Sequence, residues 1–121
     1  MAYGYTPGTM GICPTGWHLP TTTEFETLSS SVNNNGNALK SIGQGTGDGA
    51  GTNTSGFSSF LVGQRIWSGT FDGSTNIIFY WSSSEGGLSF SDIMYMYDND
   101  NIINNNYYTK SYGLSIRCIK N

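Results

Sequence analysis

The sequence predicts a single α+β domain in which helices come first and a run of antiparallel strands follows. Three observations support this fold class. The chain of 121 residues has room for one compact core. Its helix signals are confined to residues 21–42, and beyond residue 56 short apolar runs alternate with turn residues. We therefore treat residues 1–121 as one domain.

Two helices are predicted after an opening stretch, residues 2–20, that is rich in Gly and Pro and is expected to be extended. Thr21 and Glu24 have the spacing of a capping box, and apolar residues then recur at helical spacing as far as Val32. A short second helix is expected over residues 38–42, because a glycine follows as its stop signal.

Strands are predicted over residues 57–62 and 77–82. A hairpin should follow, with residues 92–97 and 102–108 as its two arms. The last run, residues 114–119, alternates apolar and polar positions and predicts a final strand with one buried face.

The composition favours an extracellular protein with a neutral polar surface. Charged residues make up only 11% of the chain, and the formal net charge is −3. The five Lys and Arg residues are scattered, so no basic stripe could neutralise a nucleic-acid backbone, and we expect no nucleic-acid partner. No apolar run approaches the length of a membrane span, so direct membrane insertion is not expected either.

Met1 stands directly before Ala2-Tyr3-Gly4, so we do not expect a signal peptide at the start of this sequence. We interpret the chain as a domain trimmed from a longer surface protein. As an isolated domain it is expected to be monomeric.

Cys13 and Cys118 lie near opposite ends of the chain and are predicted to form a disulfide. Closing a loop of about 105 residues would stabilise the fold by roughly 4–5 kcal/mol on the chain-entropy model. The alternative is a pair of free thiols in a catalytic or metal site. A metal site would need further ligands at close spacing, and the chain has a single histidine. The disulfide reading implies an oxidising compartment.

Several motifs, in order over nearly the whole chain, carry a resemblance to one bacterial family. They occupy residues 13–20 (CPTGWHLP), 39–41 (LKS), 55–57 (SGF), 69–71 (GTF), 80–85 (YWSSSE) and 110–118 (KSYGLSIRC). Together they resemble the Fibrobacter succinogenes major paralogous domain, which is common in surface proteins of Bacteroidota. The resemblance implies a C-type-lectin-like fold, with a twisted antiparallel sheet and two helices. The aromatic-rich opening segment usual in that family is absent here.

The implied fold class is shared with the variable proteins of diversity-generating retroelements. Such retroelements mutate adenines, so that Asn codons change to codons for many residue types. Residues 86–108 have the matching composition, with asparagines beside Asp, Ser, Tyr, Ile and Phe. We expect this segment to be a diversified or ligand-facing surface. The alternative is an Asn-rich exposed hairpin with no special role.

No residue pattern indicates an enzyme, and we expect neither a cofactor nor a bound metal ion. His18 lies inside the compact 16–20 motif, which favours a structural hydrogen bond near the start of the first helix. Residues 98–101 (DNDN) lack the glycine and bidentate Glu of a calcium loop, so a hairpin turn is expected there. The sugar-binding triplets of calcium-dependent lectins are also absent. No pair of acids is placed as glycosidase chemistry requires.

Aromatic residues supply much of the expected core volume. Trp17, Trp67 and Trp81 are interpreted as core anchors, with Trp81 central. Five other rings could stack directly on sugars: Phe90, Tyr95, Tyr97, Tyr107 and Tyr108.

We expect the domain to be an extracellular adhesion or recognition module that presents residues 79–108 to a protein or glycan ligand, as antibody paratopes present Tyr, Ser and Asn. The alternative is a structural module in the assembly of a cell-surface or pilus protein. The predicted ligand contacts are Phe90, Asp92, Met94, Asp98, Asn99, Ile103, Asn105 and Asn106.

Overall fold

The computed structural model describes residues 8–121, so residues 2–7 of the predicted extended stretch lie outside it. Within this part the chain forms one α-helix, α1 (Thr22–Ser31), and two short 3₁₀ turns, Gly36–Ala38 and Gly47–Gly49. The seven strands there are β1 (Trp17–His18), β2 (Gln64–Arg65), β3 (Phe71–Asp72), β4 (Ile77–Glu85), β5 (Phe90–Tyr97), β6 (Asn104–Thr109) and β7 (Ile119–Lys120).

The predicted fold class, an α+β domain of the C-type-lectin-like kind with two helices, is wrong. Strands make up most of the regular structure of residues 8–121, and α1 is the one α-helix there. The helix expected over residues 38–42 does not form because its backbone bonds to a distant segment. Ser59 donates its N–H to the Leu39 carbonyl and accepts from the N–H of Ser41.

The start of α1 confirms the predicted capping box. The Thr21 hydroxyl accepts from the Glu24 N–H at 3.2 Å, and the Glu24 carboxylate accepts from the Thr21 N–H at 2.8 Å. After the helix, Asn33 and Asn34 both adopt positive φ, at 54° and 58°, which turns the chain away from the helix axis.

The main sheet has the strand order β4-β5-β6, and both pairs are antiparallel. The predicted strand at 77–82 and the predicted hairpin are thereby confirmed, with small changes in their bounds. Alternation along β4 and β5 gives the sheet two apolar faces. One face packs against α1 and includes Ile78, Tyr80, Met94 and Met96, whereas the other carries Ile77, Phe79, Trp81 and Ile93.

Two predicted strands are wrong in extent. Residues 57–62 make only an isolated bridge at Ser59, and most of the 114–119 run is irregular, with β7 covering its end. Trp81 is a core anchor, 2% exposed, as predicted. Trp67 is not, because its side chain lies in the loop between β2 and β3 and is 70% exposed. Trp17 is 39% exposed and belongs to neither core cluster.

The predicted disulfide between Cys13 and Cys118 is confirmed. Beside it, β1 pairs with β7, so the two ends of the described chain are held together twice. A disulfide of this kind fits an oxidising environment. No helix within residues 8–121 has both the length and the apolar character needed to cross a bilayer.

Buried serines connect the motif at 13–20 to the motif at 80–85. The Ser83 hydroxyl donates to the Leu19 carbonyl at 3.1 Å, and the Ser82 hydroxyl donates to the Pro20 carbonyl at 3.1 Å. At the end of β4, Glu85 forms an ion pair with the buried Lys110 at 2.8 Å. Three separated motifs therefore meet along one strand, and Glu85 has a structural partner there.

The ammonium group of Lys40 is fully buried, with 0% of the residue exposed. Its Nζ donates to the Asn37 side-chain oxygen at 3.2 Å and to the carbonyls of Gly49 at 2.9 Å and Asp100 at 2.7 Å. Burial lowers the pKa of Lys40, while the charges of Asp100 and Asp98 oppose that shift. One side chain thus joins three segments that are remote in sequence.

His18 has the structural role expected of it. Its Nε2 lies 2.8 Å from the Glu24 carboxylate, and its Nδ1 contacts the Asn121 side-chain oxygen. These two hydrogen bonds raise the pKa of His18 above its ordinary value of 6.5. Burial would raise the pKa of Glu24, but hydrogen bonds from Thr21 and His18 outweigh it, so that pKa is lowered.

Because His18 is the single histidine, its titration can be followed directly by NMR. We expect a pKa above 6.5 in the folded protein, and the Glu24→Gln variant, which can still cap α1, should lower it toward the ordinary value. The pairing then stabilises the fold fully between the ordinary pKa of Glu24, 4.5, and that of His18, 6.5. It is lost as the pH rises through the folded pKa of His18 or falls through the folded pKa of Glu24. A wild-type pKa at or below the ordinary value would contradict this account.

Candidate functional site

The β5–β6 hairpin carries or adjoins all eight predicted contact residues, but the structure does not gather them into one surface. Consecutive residues of a strand point to opposite faces, so Asn105 and Asn106 lie on opposite sides of the sheet. Phe90 and Tyr97 stand at the two ends of β5, roughly 24 Å apart at about 3.4 Å per residue. The hairpin therefore offers three separate regions.

The first region, here called the helix-side groove, lies between the start of α1 and strand β6. Its volume is about 270 Å³, and its polar lining is Thr22, Ser82, Asp92, Asn105, Asn106 and Tyr107. Asp92 and Tyr107 are direct partners in the β5–β6 register, so their side chains are neighbours on one face. The groove therefore brings together three predicted contacts, Asp92, Asn105 and, at the strand edge, Asn106.

Phe90, another predicted contact, supports the groove from its end. Its ring meets the ring of Tyr107 edge to face, with centroids 5.7 Å apart and planes at 86°. Tyr107 itself is 62% exposed, which leaves much of its ring surface open.

Met94 cannot contact a ligand, and its assignment as a contact residue is wrong. Its side chain is 0% exposed, because its face of β5 is covered by Phe25 of α1 and by Leu39. Ile103 is half-buried and packs against the same core cluster, so only part of its side chain is open to a ligand.

The second region, here called the tyrosine face, is formed on the opposite side of the sheet by Tyr95, Tyr97, Asn106 and Tyr108, around a cavity of about 260 Å³. Five aromatic rings follow one another across it, with successive centroids 5.7, 5.4, 5.4 and 4.5 Å apart. In order they are Tyr97, Tyr95, Phe79, Tyr108 and Tyr112.

Sequence reasoning noted the tyrosines as possible sugar-stacking residues but left them out of the predicted contacts. Strand alternation alone would have placed Tyr95 and Tyr97 on the same face, since they are two residues apart. The β5–β6 register brings Tyr108 to that face, and this register cannot be deduced from the sequence alone. The Tyr108 ring lies between the rings of Phe79 and Tyr112 and is half-buried. Burial raises the pKa of Tyr108, while the Gln64 side chain opposes the shift.

The third region is the turn between β5 and β6, which includes the predicted contacts Asp98 and Asn99. The Asp98 carbonyl accepts from the Thr46 N–H at 2.8 Å, and the Asp98 N–H donates to the Asn76 carbonyl at 2.9 Å. Gly49 packs so closely that an added Cβ would lie 2.1 Å from the Asp98 carbonyl oxygen. The turn is therefore anchored to the scaffold, while the Asn99 side chain is exposed.

The acidic side chains of this turn act locally. Asp100 accepts from the Ile102 N–H at 2.9 Å, as the turn interpretation of this segment requires. Within residues 8–121 no three His, Cys, Asp or Glu side chains come together as a group that could hold a metal ion.

Comparison with known proteins gives one finding on the family. A family model described as the Fibrobacter succinogenes major domain matches residues 3–120. The chain has no significant match to a curated protein or to a solved structure.

The contrast between Met94 and Asn105, which are register partners on the same face, can be tested by stability. Met94→Ala should lower the free energy of unfolding by roughly 2–5 kcal/mol, because it opens a cavity in the core. Asn105→Ala should change the free energy of unfolding by less than about 0.5 kcal/mol, because it truncates an exposed side chain outside the packed core. Urea unfolding measures both. Equal losses would contradict the exposed position of Asn105 on β6.

Proposed function

The chain belongs to the Fibrobacter succinogenes major domain family, and we propose that it is a recognition domain that presents its β5–β6 hairpin to an external protein or glycan. The observation that carries this proposal is the row of aromatic rings on the tyrosine face. Tyr97, at one end of the row, is exposed, and so is Asn106, which lines the same cavity. Tyrosines and amides give large contact areas and adaptable hydrogen bonds at low entropic cost.

The rigid mounting of the hairpin supports the same proposal. β5 is the central strand of the sheet, and the adjoining turn is bonded to Gly36 and Thr46 as well as to Lys40. A surface fixed before binding loses little conformational freedom when a ligand arrives. The Cys13–Cys118 disulfide fits a location outside the cell, where we place this activity.

A second function, assembly of a cell-surface structure, has its own supporting observation. Val62 and Phe71 are exposed and line one shallow cavity of about 330 Å³, and Trp67 is exposed in the adjoining β2–β3 loop. An exposed apolar patch of this kind is typical of protein contacts. Here the patch lies outside the hairpin, so the two functions can be separated by mutation.

The test compares wild type with two double variants on an array of extracellular-matrix proteins and purified glycans. Tyr97→Ser/Asn106→Ser should weaken retention by roughly tenfold or more, because it removes an exposed ring and an amide from the contact. Trp67→Ser/Phe71→Ser is the matched control and should bind like wild type. Sedimentation velocity on the same samples reports self-association. An array without bound probes, together with self-association that the Trp67→Ser/Phe71→Ser variant abolishes, would replace recognition by assembly.

We also propose that the hairpin surface is diversified among copies of this domain. The asparagines that would vary include Asn99, Asn105 and Asn106, and all three are exposed. Sequencing the encoding region from many isolates should show substitutions concentrated at these codons, while Lys40 and Trp81 stay unchanged. Uniformly low variation along the whole region would exclude diversification and leave a surface with one fixed ligand.

A further inference from the structure

We propose that the helix-side groove binds one residue of a neutral glycan through direct hydrogen bonds and ring stacking. The groove is a cavity distinct from the tyrosine face, although both are bordered by Ile93, Asn106 and Tyr107. Its own polar groups, Asp92 and Asn105, lie on the helix side of the sheet. The contacts, charges and exposure of its lining residues carry the proposal.

The carboxylate of Asp92 is held in place but retains hydrogen-bonding capacity. Its Oδ2 accepts from the Thr22 hydroxyl at 2.7 Å, and Thr22 is fixed in turn because its N–H donates to the Ser84 hydroxyl at 3.1 Å. Within residues 8–121 the Oδ1 oxygen accepts no hydrogen bond. A fixed carboxylate with a free oxygen is a preorganised acceptor for a ligand hydroxyl.

Asn105 adds the complementary donor. It lies two residues before Tyr107 on β6, on the face that carries Asp92, and its amide makes no hydrogen bond within the described part of the chain. A side-chain amide both donates and accepts, and so does each hydroxyl of a sugar. Neighbouring hydroxyls of one sugar ring could therefore bond to Asp92 and Asn105 together.

Tyr107 supplies the apolar part of the site. Its ring is more than half exposed and is braced edge to face by Phe90, so it stands beside the polar groups as a fixed platform. The C–H face of a sugar ring is apolar and suits an aromatic surface, while the hydroxyls at its edge require polar partners. The groove offers both kinds of contact side by side.

The charge of the groove selects against other ligands. Asp92 is the one residue among its lining residues that is charged at neutral pH, so an anionic ligand would meet repulsion without a compensating cation. The volume of about 270 Å³ suits one sugar residue, and the groove is open, so that further residues of a glycan could continue into solvent. A small organic cation is the competing ligand, because a carboxylate beside a ring can also bind an ammonium group.

The experiment is an NMR titration of the ¹⁵N-labelled protein with three kinds of probe. They are a panel of neutral mono- and disaccharides, glucuronate as an anionic sugar, and lysine amide as a cation. At least one neutral sugar should shift the amides of Thr22, Asp92 and Tyr107, with or without a chelator. Glucuronate and lysine amide should leave these amides unchanged.

Two variants decide the assignment. Asn105→Ala and Tyr107→Ala should each weaken binding of that sugar by roughly tenfold, as expected for one lost hydrogen bond or one lost stacking surface. Asn99→Ala, an exposed asparagine at the far end of the hairpin, is the control and should bind normally. Asn105→Ala is the more informative variant because its side chain bonds to nothing in the described fold.

Four outcomes would overturn the proposal. Three of them are the absence of shifts with every neutral sugar, shifts that map to Tyr95 and Tyr97 instead, and shifts with lysine amide alone. The fourth is loss of sugar binding in chelator, since the contacts proposed are direct. Shifts at Tyr95 and Tyr97 would assign sugar binding to the tyrosine face, whose variants are tested separately on the array.

Discussion

The buried ammonium group of Lys40 holds three loops in a single arrangement. Its three oxygen partners come from the 3₁₀ turn at Asn37, from the glycine-rich loop at Gly49 and from the hairpin turn at Asp100. A buried ammonium without such partners would cost several kcal/mol. If one of these loops moved away, the Lys40 ammonium would lose an oxygen acceptor, and the folded state that contains the other two loops would be destabilised. The position of the hairpin turn, and with it the far end of β5 and β6, follows from this constraint.

This constraint separates the residues that hold the hairpin from those that face outward. The inner positions of β4 and β5 are packed on both faces, and the buried serines of β4 bond to the segment before α1. Side chains such as Tyr97, Asn105 and Tyr107 make few contacts with this framework. They can therefore change without loss of the fold, which is the property that a recognition surface requires. The helix-side groove and the tyrosine face use the two sides of the same fixed strands.

Local patterns in the sequence predicted local features well. The capping box at Thr21, the hairpin and the disulfide were all predicted correctly, because each depends on neighbouring residues or on the only available cysteine pair. The helix expected at residues 38–42 failed because pairing with Ser59, which is distant in sequence, overrides a weak local preference. The buried position of Met94 and the exposure of Trp67 likewise depend on which element covers each residue. The groove was not predictable, since it arises where α1 passes beside β6.

Hydrogen exchange in the Lys40→Met variant tests most directly whether Lys40 fixes the hairpin. Lys120→Met, at the exposed end of β7, is the control. We predict a loss of roughly 2–4 kcal/mol in the free energy of unfolding for Lys40→Met, because the carbonyls of Gly49 and Asp100 lose a charged donor. The amides of Gly36 and Thr46, which bond to the hairpin turn, should then exchange much faster than in wild type. Unchanged stability and unchanged exchange at these two amides would contradict the claim that Lys40 fixes the hairpin.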